Sequence, residues 1–442
     1  MSSAAAKLGV RSGVGIVVSN MIGAGVFISA GFMAQDMGPG TVLLCWIVGA
    51  VIALAGARAY AAVAELVPRS GGEYRYLSEL LHPFLGYLAG WGSLLLGFSA
   101  PIAVAGLAAG AFAQKLGLPL APWKVGALVI VLLAALHSLN LRSSKVLQNT
   151  LVGANALLLA LFVGVGLFFG KHEWPTWTPP HASGGFPLSA FMGSLFFVAF
   201  AFSGWNAVVY AAEDFREPRR SVPRSMLIGC SLVAVLYLVV NWIFVANITP
   251  DQATVVFQYD QQRVTLGHLI TKSLIGDSGA AGMSILTIVA FASAMSAMTF
   301  AGPRTYAAMA KDGFLPRLFA GREGRPPVAA VWLQALIALF FTYYYQDNLS
   351  AVMGNVGAIL TLFAALTTAS LFKVRFFSPK RPGPRPGALA LAAASVHVLF
   401  SAWMLYFGVR HTETHLLVWV GAVAVAAFAA YWGTLRWRRA VA

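Results

Sequence analysis

The stretch Ser19-Asn20-Met21-Ile22-Gly23-Ala24-Gly25-Val26-Phe27 places two glycines and an alanine in the middle of an apolar run. Flanks this apolar normally form one continuous helix, whereas glycine disfavours helix by about 1 kcal/mol relative to alanine and removes side-chain cover. A helix interrupted at membrane depth exposes backbone amides and carbonyls that lipid cannot satisfy, so the interruption must line a cavity. The stretch therefore reads as a binding site.

Membrane depth follows from composition. The 442 residues are 59% hydrophobic and 10% charged, with a mean hydropathy of +0.75, far outside the soluble range. Apolar segments of about 20 residues recur from end to end, each long enough to cross the hydrocarbon core as a helix. Twelve such segments are expected, joined by loops too short to hide a soluble catalytic domain. The basic start and first apolar run resemble a signal peptide, but the run exceeds a signal core and eleven more follow, so it reads as retained.

The net charge of +15 raises the question of a nucleic-acid surface, and the distribution of charge answers it. With the spans alternating sides, most of the 30 Lys and Arg fall on one side. Lys115, Lys124, Lys171, Arg263, Lys272 and Arg410 fall on the other, and Arg58 lies within the second span. This is the positive-inside pattern, which puts both termini in the cytoplasm and the chain in the cytoplasmic membrane, with no nucleic-acid partner. Arg58 either snorkels or pairs with Glu65 or Glu79. Cys45 and Cys230 lie in or beside spans two and seven, so no disulfide-linked accessory subunit is expected.

In chain order, span one covers about 10–33, two 41–66, three 84–113, four 125–139 and five 146–169. A glycine-containing re-entry, Pro68-Arg69-Ser70-Gly71-Gly72-Glu73-Tyr74, follows span two. Span six begins near Leu188 and carries a second small-residue interruption, Phe200-Ala201-Phe202-Ser203-Gly204-Trp205-Asn206. Two interruptions five spans apart are the signature of an inverted repeat with its site at the repeat interface. Span seven covers about 226–246, and the connection 247–279 is the longest, with room for short interfacial helices. Span eight runs over about 280–309, nine over 328–345 and ten over 349–372. A basic, Pro-rich linker, about 373–388, leads to spans eleven and twelve at about 389–409 and 415–435.

The runs Ile22-Gly23-Ala24-Gly25-Val26-Phe27, Pro68 to Tyr74 and Phe200 to Asn206, with the Arg304 to Gly313 tail of span eight, resemble those of the amino acid, polyamine and organocation transporters. Within that superfamily they are most similar to the L-type amino acid transporter branch. The resemblance covers the ten-span core. It implies an all-α membrane protein of twelve transmembrane helices: a LeuT-like five-plus-five inverted repeat over residues 1–372, with helices one and six broken, and two peripheral helices within 389–442.

Backbone chemistry supplies a mechanism and the resemblance supplies the ligand, an amino acid. Amides of Gly23, Ala24 and Gly25 lose their helical acceptors at the positive end of the outer half-helix, which suits an α-carboxylate. Carbonyls around Ser19 to Met21, and at Phe200 and Ser203 beside Gly204, have the opposite polarity and suit an α-ammonium. Close helix packing is the alternative use of such glycines. A β-branched residue at Gly25 is expected to abolish binding and leave folding intact. The resemblance makes Phe200 a lid over the substrate, while Trp205 either shapes the pocket wall or packs.

No Asp or Glu lies at mid-depth in any span, which favours neutral over cationic substrates. Many relatives place a Lys in span five where this chain has Asn155. Asn155 cannot titrate but can bridge span one to Ser293 and Ser296, three residues apart on span eight. Those hydroxyls alternatively serve sodium or bond back to their own helix. Exchange or facilitated diffusion is favoured over an ion-coupled symporter; a cationic amino acid or polyamine exchanger and a non-transporting sensor are the other readings. Glu213, Asp214 and Arg304 are candidates for an inner-gate ion-pair network. The His residues show no HExxH or paired-ligand spacing, so neither a metal, a cofactor nor an enzyme is implied.

Overall fold

The computed structural model describes residues 8–139, 141–179, 185–256, 263–322, 326–378, 384–410, 425 and 427–436. Among the described residues the secondary structure is helical, apart from one isolated parallel bridge between Leu8 and Phe215. Among the described residues, ten helices are long and apolar enough to cross a membrane. Spans one to four are Val10–Met33, Pro39–Leu66, Pro83–Lys115 and Pro122–Leu139, and spans five to seven are Val146–Phe169, Leu188–Asp214 and Pro218–Asn247. Span eight is Leu266–Lys311, span ten Val352–Phe377 and span eleven Ala388–Arg410. Span nine, Val328–Tyr344, has 17 residues and reaches about 26 Å at 1.5 Å per residue, the short end of what crosses a bilayer. The expected twelfth span lies largely outside the described residues.

Small residues let the helices approach closely, as apolar solvent demands when packing replaces the hydrophobic drive. Spans three and four cross glycine on glycine: a Cβ on Gly126 would sit 2.7 Å from the carbonyl carbon of Gly106. Large apolar side chains such as Leu128, Leu157, Phe168 and Phe340 point outward, where lipid is their solvent. The long connection after span seven holds a short helix, Pro250–Val256, and an early segment of span eight. That segment ends at Ile275–Gly276, where Gly276 takes φ 74° and breaks the helix.

Span three contains a wide, π-helical stretch, Ser93–Ser99. Pro101 lacks the N–H that would reach back to Gly97, and a widened turn absorbs the mismatch. Ser99 Oγ donates to the Leu94 carbonyl at 2.6 Å within it. Gly71 and Gly72, both at positive φ (124° and 57°), turn the chain after span two into a short helix, Gly72–Leu80.

Candidate functional site

Span one is broken where its glycines are. A first helix ends at Met21, Ile22 and Gly23 leave helical geometry (Gly23 φ −139°, ψ −153°), and a second helix starts at Ala24. Its leading amides have no intrahelical acceptor, and no side chain caps it among the described residues. Span six is broken over 203–206, between a helix ending at Phe202 and a 3-10 helix, Ala207–Asp214. Gly204 takes φ 104°, a conformation L side chains avoid.

The breaks abut. A Cβ on Gly204 would lie 2.9 Å from the backbone of Asn20, and a Cβ on Gly25 would lie 2.3 Å from the Cα of Ala201. Gly25 is thus a crossing point between the broken spans, and a β-branched residue there strikes backbone that cannot yield. This corrects the expectation that such a substitution would leave folding intact. Gly23 is less confined, with a Cβ position 3.1 Å from Ala294 Cβ.

Sequence reasoning missed Tyr237 of span seven. Its hydroxyl donates to the Met21 carbonyl and also lies 3.0 Å from the Ala201 carbonyl, so one proton serves the ends of both broken helices. The Phe200 carbonyl accepts the Ser203 N–H at 3.0 Å. The Met21 and Phe200 carbonyls, two of those assigned to an α-ammonium, thus already hold one donor, and each keeps a second lone pair.

A cavity of about 110 Å³ opens from the break in span six. Asn20, Ser203, Gly204 and Trp205 line it, together with Ser93 and Phe98 of the π-helical stretch. Met21, Gly23, Gly25 and Phe200 do not line it, and all four are buried. Trp205 combines both roles considered for it, packing edge-on against Tyr60 at 4.6 Å while forming cavity wall.

The cavity also reaches Glu73, 7% exposed. Tyr60 Oη donates to Glu73 Oε1 at 2.9 Å, Asn206 Nδ2 donates to the same oxygen, and Tyr210 Oη donates to Oε2. No span carries this acid, which is why counting acids within spans passed over it; the turn at Gly71–Gly72 folds it inward.

The pattern of the family described as Amino acid permease matches residues 8–429. The chain belongs to that family. This permease is 27% identical over 422 residues to the large neutral amino acids transporter small subunit 2 of Rattus norvegicus, covering 91% of this chain and 75% of the relative. It is 25% identical to the b(0,+)-type amino acid transporter 1 of Mus musculus (90% and 82% covered). It is 26% identical to the Asc-type amino acid transporter 1 of Homo sapiens (91% and 77%). These relatives are transporters, so the permease is a multi-pass membrane protein of amino acid transport and not an enzyme.

The permease's remaining candidates divide. Asn155, Ser293 and Ser296 are all buried. Ser296 Oγ pairs with His137 Nε2 of span four at 2.8 Å, whereas Asn155 Oδ1 and Ser293 Oγ meet no partner. The expected bridge from Asn155 to the serines is therefore not made through its carbonyl oxygen. At the end of span six Arg304 pairs with Asp214, not Glu213, at 3.4 Å, and lies over the Phe300 ring. Glu213 is exposed, and its backbone N–H donates to Ser70 Oγ. Of the two acids named with Arg304, the ion pair is made by Asp214. Leu8 bridges to both sides of Phe215: its N–H donates to the Asp214 carbonyl and its carbonyl accepts from Arg216. Glu79 pairs with Arg69. Cys45 and Cys230 are buried free thiols.

Proposed function

We propose that this permease moves neutral L-amino acids across the cytoplasmic membrane by alternating access, as an exchanger or facilitator, with both termini in the cytoplasm. The observation that carries the reading is the contact between the two breaks, Gly204 on Asn20 and Ala201 on Gly25. Interrupted backbone from two spans in one place offers an α-carboxylate the amides of Gly23, Ala24 and Gly25 and an α-ammonium the carbonyls of Met21 and Ser203. Residues 1–372 form the inverted-repeat core in this reading, 373–388 a linker and 389–442 two peripheral helices. The names of the relatives, with large neutral amino acids first among them, favour neutral substrates. Asn155 in span five has no proton to carry, which favours exchange.

The test is uptake of labelled leucine or alanine into proteoliposomes, with and without internal amino acid, and with sodium or proton gradients imposed singly. Uptake that requires internal substrate and ignores both gradients is the expected result. Strong sodium or proton dependence would replace exchange by symport. Binding without flux would make the chain a sensor.

A further inference from the structure

We propose that the cavity between the breaks and Glu73 is a subsite for an organic cation, the terminal ammonium of a substrate side chain, with the Glu73 carboxylate as its counter-charge. The inference rests on the reading that an amino acid is held at the breaks, and it widens the side chains accepted there from neutral to ω-ammonium.

Three observations carry it. First, Glu73 is buried, and its three hydrogen-bond donors, Tyr60, Asn206 and Tyr210, are all neutral. None of the ion pairs among the described residues includes it. Neutral donors satisfy lone pairs without cancelling charge, and a buried carboxylate without a cation is the arrangement proteins avoid unless a ligand completes it. A carboxylate accepts about four hydrogen bonds, so Oε2, which holds only the Tyr210 contact, has room for another donor.

Second, Glu73 lines free space. A volume of about 110 Å³ equals three to four waters at ~30 Å³ each, the scale of a short methylene chain with an ammonium head. A bound proton needs no such room, and the room is what points to an organic cation. Third, the walls suit such a chain: Ile52 and Phe363 offer apolar surface to methylenes, while Trp205 and Phe98 offer rings. The same cavity is lined at the breaks by Asn20, Ser203 and Gly204, so it is the space open to the side chain of an amino acid held there.

Ornithine and norleucine test this, because their side chains have the same length and differ by an ammonium in place of a methyl. The purified full chain is assayed for competition by each against labelled leucine uptake in proteoliposomes, and for thermal stabilisation by each in detergent. The wild type is expected to bind ornithine within about tenfold of norleucine. In Glu73→Gln, which keeps the shape and removes the charge, the ratio of ornithine to norleucine affinity falls at least about tenfold, and Glu73→Asp restores part of it. A wild type that ignores ornithine overturns the proposal without any variant, so it stays testable if Glu73→Gln does not fold. An unchanged ratio in folded Glu73→Gln also overturns it. A shifted pH profile of leucine uptake with an unchanged ratio would make Glu73 a proton site instead. Norleucine binding without ornithine binding removes the subsite alone, whereas neither flux nor stabilisation with any amino acid removes the transport reading and the subsite with it.

Discussion

The two broken spans use the same sequence device to opposite ends. In span one the break is closed: Gly25 is packed onto Ala201, Gly23 lies against Ala294, and the Met21 carbonyl is held by Tyr237. In span six the break is open, and Ser203, Gly204, Trp205 and Asn206 all line the cavity. The local geometry accounts for the difference. Span one loses helix over only two residues and resumes at once, whereas span six unwinds over 203–206 and continues as a 3-10 helix, a longer detour that leaves space beside it. Glycine content therefore marks where a helix breaks, while the length of the detour decides whether the break becomes pocket or packing.

The sharpest way to break this comparison is to add a side chain at the closed break. Gly25→Val should abolish folded protein, because its Cβ would come within 2.3 Å of the Ala201 Cα and backbone cannot move aside; overpacking of this kind costs about 3 kcal/mol or more. Size-exclusion monodispersity after detergent extraction measures it. Gly23→Ala, whose Cβ would stand 3.1 Å from another methyl, should remain monodisperse and lose affinity for amino acid through crowding of the amides. If Gly25→Val folds normally, the break in span one is open after all.

At the other break, Gly204→Ala combines a positive φ of 104° with a contact of 2.9 Å to Asn20. An expected loss of about 2–3 kcal/mol should lower the melting temperature by several degrees and lower uptake further, since the residue lines the cavity. Tyr237→Phe should follow at about 1–3 kcal/mol, because its removal leaves two buried carbonyls to share no donor. A melt unchanged in Tyr237→Phe would mean that water replaces the hydroxyl and that the closed break is wetter than its packing suggests.

What was legible beforehand follows the same division. The breaks could be read because Gly23, Gly25 and Gly204 are local features in runs where glycine has a plain energetic meaning. Membrane class and the positions of the helices were legible from hydropathy. Glu73 was not, because a nine-residue helix behind a glycine turn leaves no hydropathy signal and its burial depends on Tyr60, Asn206 and Tyr210 from distant parts of the chain. Tyr237 was hidden differently: an aromatic in an apolar span looks like packing until the helix ends it serves are in view. Asp214 and Glu213 were both legible as partners for Arg304, and which of them makes the pair was not, because neighbouring acids at a helix end look alike until the end's geometry is in view.

The smallest expected effect concerns that pair, and it separates a gate from a surface contact. Arg304 and Asp214 have side chains 31% and 53% exposed at 3.4 Å, so water screens the attraction and its worth is about 0.2–1 kcal/mol. Asp214→Asn should therefore barely shift the melting temperature. Transport is a different measurement, because a pair that forms in one conformation only shifts the balance between conformations by its whole strength. At 1 kcal/mol that balance moves about fivefold, so Asp214→Asn should change uptake by up to about fivefold while stability stays level. The paired swap, Asp214→Arg with Arg304→Asp, should bring uptake back toward wild type. The same swap at Glu213 should not, because Glu213 reaches Ser70 through its backbone and leaves its carboxylate in solvent. Recovery at Glu213 but not at Asp214 would show that the 3-10 segment below the open break rewinds during transport, making the mobile element of span six the inner half and not the break itself.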